Sequence, residues 1–195
     1  MRTICVASQK GGSGKSTISA HLSVEASKQL SVAVVDTDNP QGSLAQWWNV
    51  RKADTPIFIR EYAPDLEIDL TIIDTPPRID PLLRKSILVA DLIIIPIRPS
   101  PNDLRAVPVI VQEAENAKKP FIFVLNSATP RATITHDAVR ILAQYGKVAP
   151  VTLHSRVDFA MAMIDGRTAQ ELKANSKSAA EVAQLWEYVQ TQLDK

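Results

Sequence analysis

The sequence predicts one α/β domain spanning residues 1–195, built on a doubly wound, mostly parallel sheet. Three observations carry that expectation. The short runs "TICVAS", "LTIIDT", "LIIIPI" and "FIFVLN" are apolar at nearly every position, as strands covered on both faces are. Longer stretches of helical periodicity alternate with them, which is the order of βαβ units. Asp36, Asp38, Asp74 and Asn126 stand at the ends of such runs, at the edge where these sheets bind ligands.

Along the chain, "TICVAS" opens as a strand, followed by a glycine-rich turn and a helix over 16–29. "SVAVVD" (31–36) is the second strand and "SLAQWWNVRK" a short helix, in which Trp47 and Trp48 are expected to pack inward. "IFIREY" reads as a short strand and "LTIIDT" (70–75) as a buried one, followed by a helix over 80–89. Strands at 92–97, 121–126 and 147–153 complete the sheet. Helices are expected over 102–117, 133–145, 156–164 and 176–193.

Composition narrows the class. A chain that is 45% hydrophobic and 22% charged, with net charge +1, has an ordinary soluble make-up and no strong overall field. Any polyanion must meet a local patch. The single cysteine, Cys5, rules out an intrachain disulfide and a four-cysteine cluster within one chain; it sits in an apolar run as a small buried hydrophobe. The longest apolar run is far short of a membrane span and no signal sequence is read, so a cytoplasmic protein is expected.

The stretch "SQKGGSGKST" (8–17) lies between the first strand and first helix, the setting that makes a glycine loop a phosphate site. Gly11, Gly12 and Gly14 let the backbone bend and aim N–H groups inward around Ser13, and the helix N-terminus favours an anion. Lys15 suits the β- and γ-phosphates, the Ser16 hydroxyl Mg²⁺, and Thr17 the α-phosphate. Gln9 stands where the strict pattern has its first glycine, and Lys10 is a second lysine ahead of the loop. Asp74, ending "LTIID", suits a Mg²⁺ shell. Asp36 and Asp38 share one side of the second strand's end; one is expected to support the metal and the other to orient the attacking water.

These motifs resemble those of the ParA/MinD ATPases, P-loop NTPases of the deviant Walker A type. "KGGSGKST" is similar to their K-G-G-x-G-K-[ST]-T, and "VVDTD…PQGS", "IIDTPP" and "IIPIRPSPNDLRA" follow in the family order. "SRVDFAMAMIDGRTAQE" is similar to a segment of the small ParA proteins of plasmid segregation. The resemblance implies ATP and Mg²⁺ as cofactors and a dimer closed over the nucleotide. Lys10 would reach the partner's phosphates, Asp38 would align the water, Asp74 would stand near the metal, and Asn126 would face the adenine; Asp36 is then the residue left to support the metal with Ser16 and Asp74. A second buried ammonium needs its own anion, which also favours Lys10 acting across a dimer. The family's D-x-D-P-Q is interrupted by Asn39, leaving the roles of Asp36 and Asp38 open.

The resemblance further implies nonspecific, phosphate-directed DNA binding by the ATP dimer, release by a ParB-like or small centromere-binding adaptor, and a nucleoid location. DNA partition is the first reading; positioning a protein cargo, such as a chemoreceptor cluster or compartment, is the alternative. Arg131, Arg156, Arg167, Lys173 and Lys177 are the candidate DNA contacts, although residues 131–195 hold eight Lys/Arg against seven Asp/Glu and so form no basic block. A MinD-type membrane tail is not expected: the last helix carries Val182, Leu185, Trp186, Val189 and Leu193 on one stripe and Glu181, Glu187 and Asp194 elsewhere, almost without lysine. A nitrogenase-reductase-like role lacks the cysteines for a cluster, and no second polar pocket suggests a metabolic enzyme.

Overall fold

The computed structural model describes residues 1–38 and 42–194; Asn39, the insertion noted above, lies outside them. Seven parallel strands form one sheet: β1 (Arg2–Val6), β2 (Val32–Asp36), β3 (Ile57–Phe58), β4 (Leu70–Asp74), β5 (Leu92–Ile97), β6 (Phe121–Leu125) and β7 (Lys147–Val148), in the order β3-β2-β4-β1-β5-β6-β7. The helices are α1 (Lys15–Ala26), α2 (Ser43–Val50), α3 (Pro81–Val89), α4 (Pro101–Arg105), α5 (Val107–Asn116), α6 (Thr133–Leu142), α7 (Val157–Ile164), α8 (Ala169–Leu172) and α9 (Lys177–Leu193). The chain leaves β1 toward one edge and returns through β5 toward the other, so the strand order reverses beside β1.

Alternate residues of β1, β5 and β6 feed two cores, while β2 and β4 feed the first. Ile4, Val6, Val34, Ile72, Ile94 and Val124 pack under α1, α2 and α9. Cys5, Ile93, Ile95, Phe123 and Leu125 pack under α3, α5 and α6. Burial on both faces explains the continuous apolar runs, and it pushes the Cys5 thiol far above its usual range. On α9 the five apolar residues of the expected stripe are buried. Glu181 is not on an outer face: it is buried and accepts from Arg156 and His154.

Several boundaries differ from expectation. The helix expected over 102–117 is two, because Pro108 has no N–H to continue the ladder from α4. The strand expected over 147–153 keeps only Lys147–Val148 in the ladder, although Ala149 and Leu153 still donate to Phe123 and Leu125. The run at 57–62 pairs only at Ile57 and Phe58. The turn of helix α8 carries too short a pattern to be seen in advance.

The segment 164–171 fastens two helices that bear on the carboxyl edge. Trp47 of α2 donates to the Arg167 carbonyl at 2.9 Å, and Arg51 forks onto Glu171 at 2.7 and 2.9 Å while also reaching the Gly166 carbonyl at 2.7 Å. Glu171 and Thr168 form a capping box on α8. From α1, His21 accepts the Ala169 N–H at 3.0 Å on Nε2 and donates from Nδ1 to the Thr17 carbonyl at 2.7 Å. Gln170 donates to the His21 carbonyl and to Glu25. Trp48 donates to the Pro56 carbonyl and lies 5.4 Å from the Phe58 ring; both tryptophans are packing residues, as expected.

Gly166 has φ +78°, and a Cβ there would stand 2.4 Å from Arg51 Cα, against backbone that cannot yield. Gly166→Ala is expected to cost at least about 2 kcal/mol, read as a lower urea midpoint. A wild-type midpoint would show that this junction does not hold α2.

Candidate functional site

The turn from β1 into α1 is shaped by glycine and braced from below. Gly12 and Gly14 have φ of 71° and 96°, in the region that L side chains avoid. A Cβ on Gly14 would stand 1.9 Å from Asn126 Nδ2, so the loop rests directly on that side chain. Asn126, expected from the sequence to face the adenine, donates to the Ser13 carbonyl at 2.7 Å and so also supports the loop. The Ser8 hydroxyl donates to the Lys10 carbonyl and pairs with the Ser13 hydroxyl at 2.7 Å. Gly11 and Gly12 remain exposed. The first backbone bond of α1 runs from Ile18 to Gly14, so the N–H groups of Lys15, Ser16 and Thr17 precede it, as an anion site requires.

The two lysines of the loop occupy opposite settings. Lys15 is 7% exposed, and its ammonium makes one long bond, 3.3 Å, to the Lys10 carbonyl. Burial lowers its pKa, with Asp74 and Asp38 pulling the other way. Lys15 is thus held at the start of α1 by burial and by the nearby Asp74 and Asp38 carboxylates, with its ammonium making only that long bond among the described residues. Lys10 is exposed, and its ammonium makes no hydrogen bond or ion pair among the described residues.

Asp74 lies level with Val6 of β1 and Asp36 of β2. It is 1% exposed and accepts from the hydroxyls of Ser16 and Ser19. Burial pushes its carboxyl up to about 7; the Ser16 bond opposes this and Asp36 adds to it. Asp36 and Asp38 separate in role. The two Asp36 oxygens accept the Asp38 and Ala45 N–H groups, each at 2.9 Å, so Asp36 ties the Asp38 turn to the first turn of α2. Asp38 is raised by burial and by Asp36, and is near enough to Lys15 and Arg78 for both to lower it. Arg78, in the "DTPPR" turn, and Arg98, within the "IIPIRPSPNDLRA" motif and against Gly12, are functional candidates that the sequence reading did not single out by residue.

No cluster of three or more His, Cys, Asp or Glu among the described residues makes a metal site. Ser16 Oγ and the Asp74 carboxylate are adjacent hard oxygen donors, a pair that suits Mg²⁺ when phosphate and water supply the remaining positions.

Of the five expected DNA contacts, Arg131 precedes α6, Arg156 precedes α7, and Arg167, Lys173 and Lys177 lie between α7 and the start of α9. Arg156 is committed to the buried Glu181, and Arg167 to Asp165 at 2.7 Å. Lys173, Lys177 and Arg131 are exposed. No described helix is long and apolar enough to cross a membrane.

Two buried groups set opposite pH dependences in the ligand-free chain. His21 titrates at about 4 when folded against 6.5 ordinarily, because burial disfavours its cation. The unfolded chain therefore binds more protons in that window, and stability falls with falling pH. Asp74, at about 7 against 3.8, keeps a proton that the unfolded chain releases, so its contribution falls with rising pH. From about pH 5 to 6.5 each is worth about 2 kcal/mol and the two offset. Urea titrations in chelator are expected to show a nearly flat wild type and an Asp74→Asn variant whose stability rises with pH. A flat variant would contradict these assignments.

The match to known proteins follows the geometry. Residues 4–169 match the family model described as "CobQ/CobB/MinD/ParA nucleotide binding domain". The chain is 30% identical over 198 residues to maintenance of carboxysome distribution protein A of Halothiobacillus neapolitanus, covering 92% of this chain and 91% of that one. A putative plasmid partition protein of Borrelia burgdorferi bound to AMPPNP superposes with a TM-score of 0.83 at 17% identity, over 98% of this chain and 99% of that one. The Mg-ADP complex of septum site-determining protein MinD from Pyrococcus horikoshii gives 0.81 at 18%, over 96% and 95%. With the glycine loop, the strand order and the motif order in agreement, the chain belongs to the CobQ/CobB/MinD/ParA nucleotide-binding family.

Proposed function

We propose that this chain is a ParA-like, Mg²⁺-dependent ATPase that dimerises on ATP and uses hydrolysis to position a protein cargo on the nucleoid. The observation that carries the ATPase reading is the separation of the two lysines across the glycine loop: Lys15 buried at the start of α1 near Asp74 and Asp38, Lys10 exposed with no bonded partner among the described residues. The loop N–H groups and Lys15 hold the β- and γ-phosphates, with Thr17 beside the α-phosphate. Ser16 and Asp74 would hold Mg²⁺, which when bound would supply charge neutralisation for the phosphates. Asp38 orients the water while Asp36 keeps the α2 turn in place. Lys10 is left to engage the phosphates of a second copy, which makes closure of the dimer depend on ATP.

The cargo reading rests on the 30% identical relative named for carboxysome distribution, which aligns over nearly its whole length. DNA partition, first in the sequence reading, takes second place: its support is a plasmid partition neighbour at 17% identity, a level that speaks to fold. A MinD-type membrane tail is disfavoured because the apolar stripe of α9 is occupied by the core. DNA contact is then nonspecific and salt-sensitive, and a small adaptor on the cargo stimulates hydrolysis.

One experiment tests the nucleotide and nucleoid parts together. Wild-type protein with ATP and Mg²⁺ is expected to sediment as a dimer and be retained on random-sequence DNA at low salt, and to be released with ADP. Lys10→Ala is expected to bind ATP within about twofold of wild type yet stay monomeric and unretained, since the lost contact belongs to the dimer. Wild-type retention that ignores the nucleotide sinks the nucleoid reading. For the cargo, cells without the gene are expected to misplace a protein compartment while keeping their plasmids; plasmid loss with normal compartments would restore DNA partition.

A further inference from the structure

Arg98 is a cation that the machinery above does not use. It directly follows β5, the strand beside β1, and so emerges next to the phosphate loop. Its Nη1 lies 3.6 Å from where a Cβ on Gly12 would stand. Nε and Nη2 donate to Asp103 Oδ1 and Oδ2 at 3.2 and 3.4 Å. Asp103 is 3% exposed and is held in turn by the Ser100 hydroxyl, which donates to Oδ2 and accepts the Asp103 N–H at 3.2 Å. A buried carboxylate thus grips one edge of the guanidinium and leaves Nη1 facing the loop. Planar forks held in this way are suited to phosphate.

The position of this group relative to the loop decides which phosphate it meets. Arg98, Lys10 and Gly11 line one cavity of about 570 Å³, together with Asn102, Ser127 and Thr129. Lys15, Ser16, Asp38 and Asp74 are not on its wall. The cavity therefore lies at the Lys10–Gly12 end of the loop, apart from Lys15 and from the Ser16, Asp38 and Asp74 side of the site. Two cations and the one carboxylate Asp103 leave an excess positive charge there, among hydroxyls and an amide that carry none. An anion brought from outside the chain completes the balance.

We propose that Arg98 is a second partner-facing cation, acting with Lys10 on the phosphates of the nucleotide held by the second copy in the dimer. The proposal rests on the ATP-dimer reading above. Asp103 is its positioning residue: it fixes the fork before the partner arrives, so little side-chain freedom is lost on closure.

The test uses full-length protein and the variants Arg98→Ala, Arg98→Lys and the double variant Arg98→Ala/Asp103→Asn, in which no buried charge is stranded. Fluorescent ADP reads the chain's own site, sedimentation velocity with ATP reads closure, and release of fluorescent ATP at saturating protein reads the partner's hold on the nucleotide. Arg98→Ala and the double variant are expected to bind ADP within about twofold of wild type. Both should weaken the ATP dimer by about tenfold or more, and release ATP from it faster by a similar factor, as loss of a charge-assisted bond implies. Arg98→Lys is expected to recover part of the loss. Wild-type dimerisation and release in the double variant overturn the proposal, as does a loss of ADP binding, which would place Arg98 at its own site. Weaker dimers with unchanged release overturn it too, since the contact would then be to protein. A wild type that stays monomeric in ATP overturns the dimer reading itself, and this proposal with it.

Discussion

Two strand ends and one helix meet at the Asp74 carboxylate. It closes β4, stands level with Val6 and Asp36, and takes hydroxyl bonds from Ser16 and Ser19 of α1. The group is costly in this place: it is buried, it neighbours another carboxylate, and its affinity for a proton rises accordingly. That cost is what makes the site receptive. A buried carboxylate beside a serine hydroxyl and a buried ammonium gains from a divalent cation and a phosphate more than from water. The loop, the helix N-terminus and the lysine settings all follow from keeping these charges out of water until a ligand supplies their counterparts.

The second organising contact lies a layer below. Segment 164–171 bonds to α1 through His21 and to α2 through Trp47 and Arg51. The helix that begins in the phosphate loop and the helix that follows Asp36 and Asp38 are thereby fastened to one short stretch of chain. His21 serves only as a neutral ring, since both nitrogens are engaged, one accepting and one donating. This explains why "SRVDFAMAMIDGRTAQE" reads as a motif although none of its side chains reaches the loop: Gly166, Thr168 and Glu171 act through backbone shape and capping.

The sheet was legible because its signal is dense. Runs such as "LIIIPI" need burial on both faces, and only a parallel sheet between helices supplies it. The phosphate loop was legible because its glycines, lysine and serine sit between a strand and a helix. What escaped depends on distant pairing. Glu181 looks like an exposed helix residue until Arg156 and His154 are folded against it. Asn126 ends a strand and suggests a ligand contact, but Gly14, far away in sequence, brings the loop onto its amide. Arg98 and Asp103 belong to a recognised motif, "IIPIRPSPNDLRA", but what Arg98 does there is invisible until β5 places it beside Gly12. Pro108 stands inside the stretch expected as one helix and divides it, because it has no N–H to offer.

The account stands on Lys10 serving the partner's nucleotide and Lys15 its own. Mixing two inactive variants tests this most directly. In a mixed dimer of Lys10→Ala and Lys15→Ala chains, the first chain keeps its own Lys15 and receives Lys10 from the second, so one complete site is rebuilt. The account predicts that ATP hydrolysis in the mixture rises clearly above the sum of the two variants measured alone. A mixture as inactive as its components, under conditions where the wild type dimerises, would contradict it.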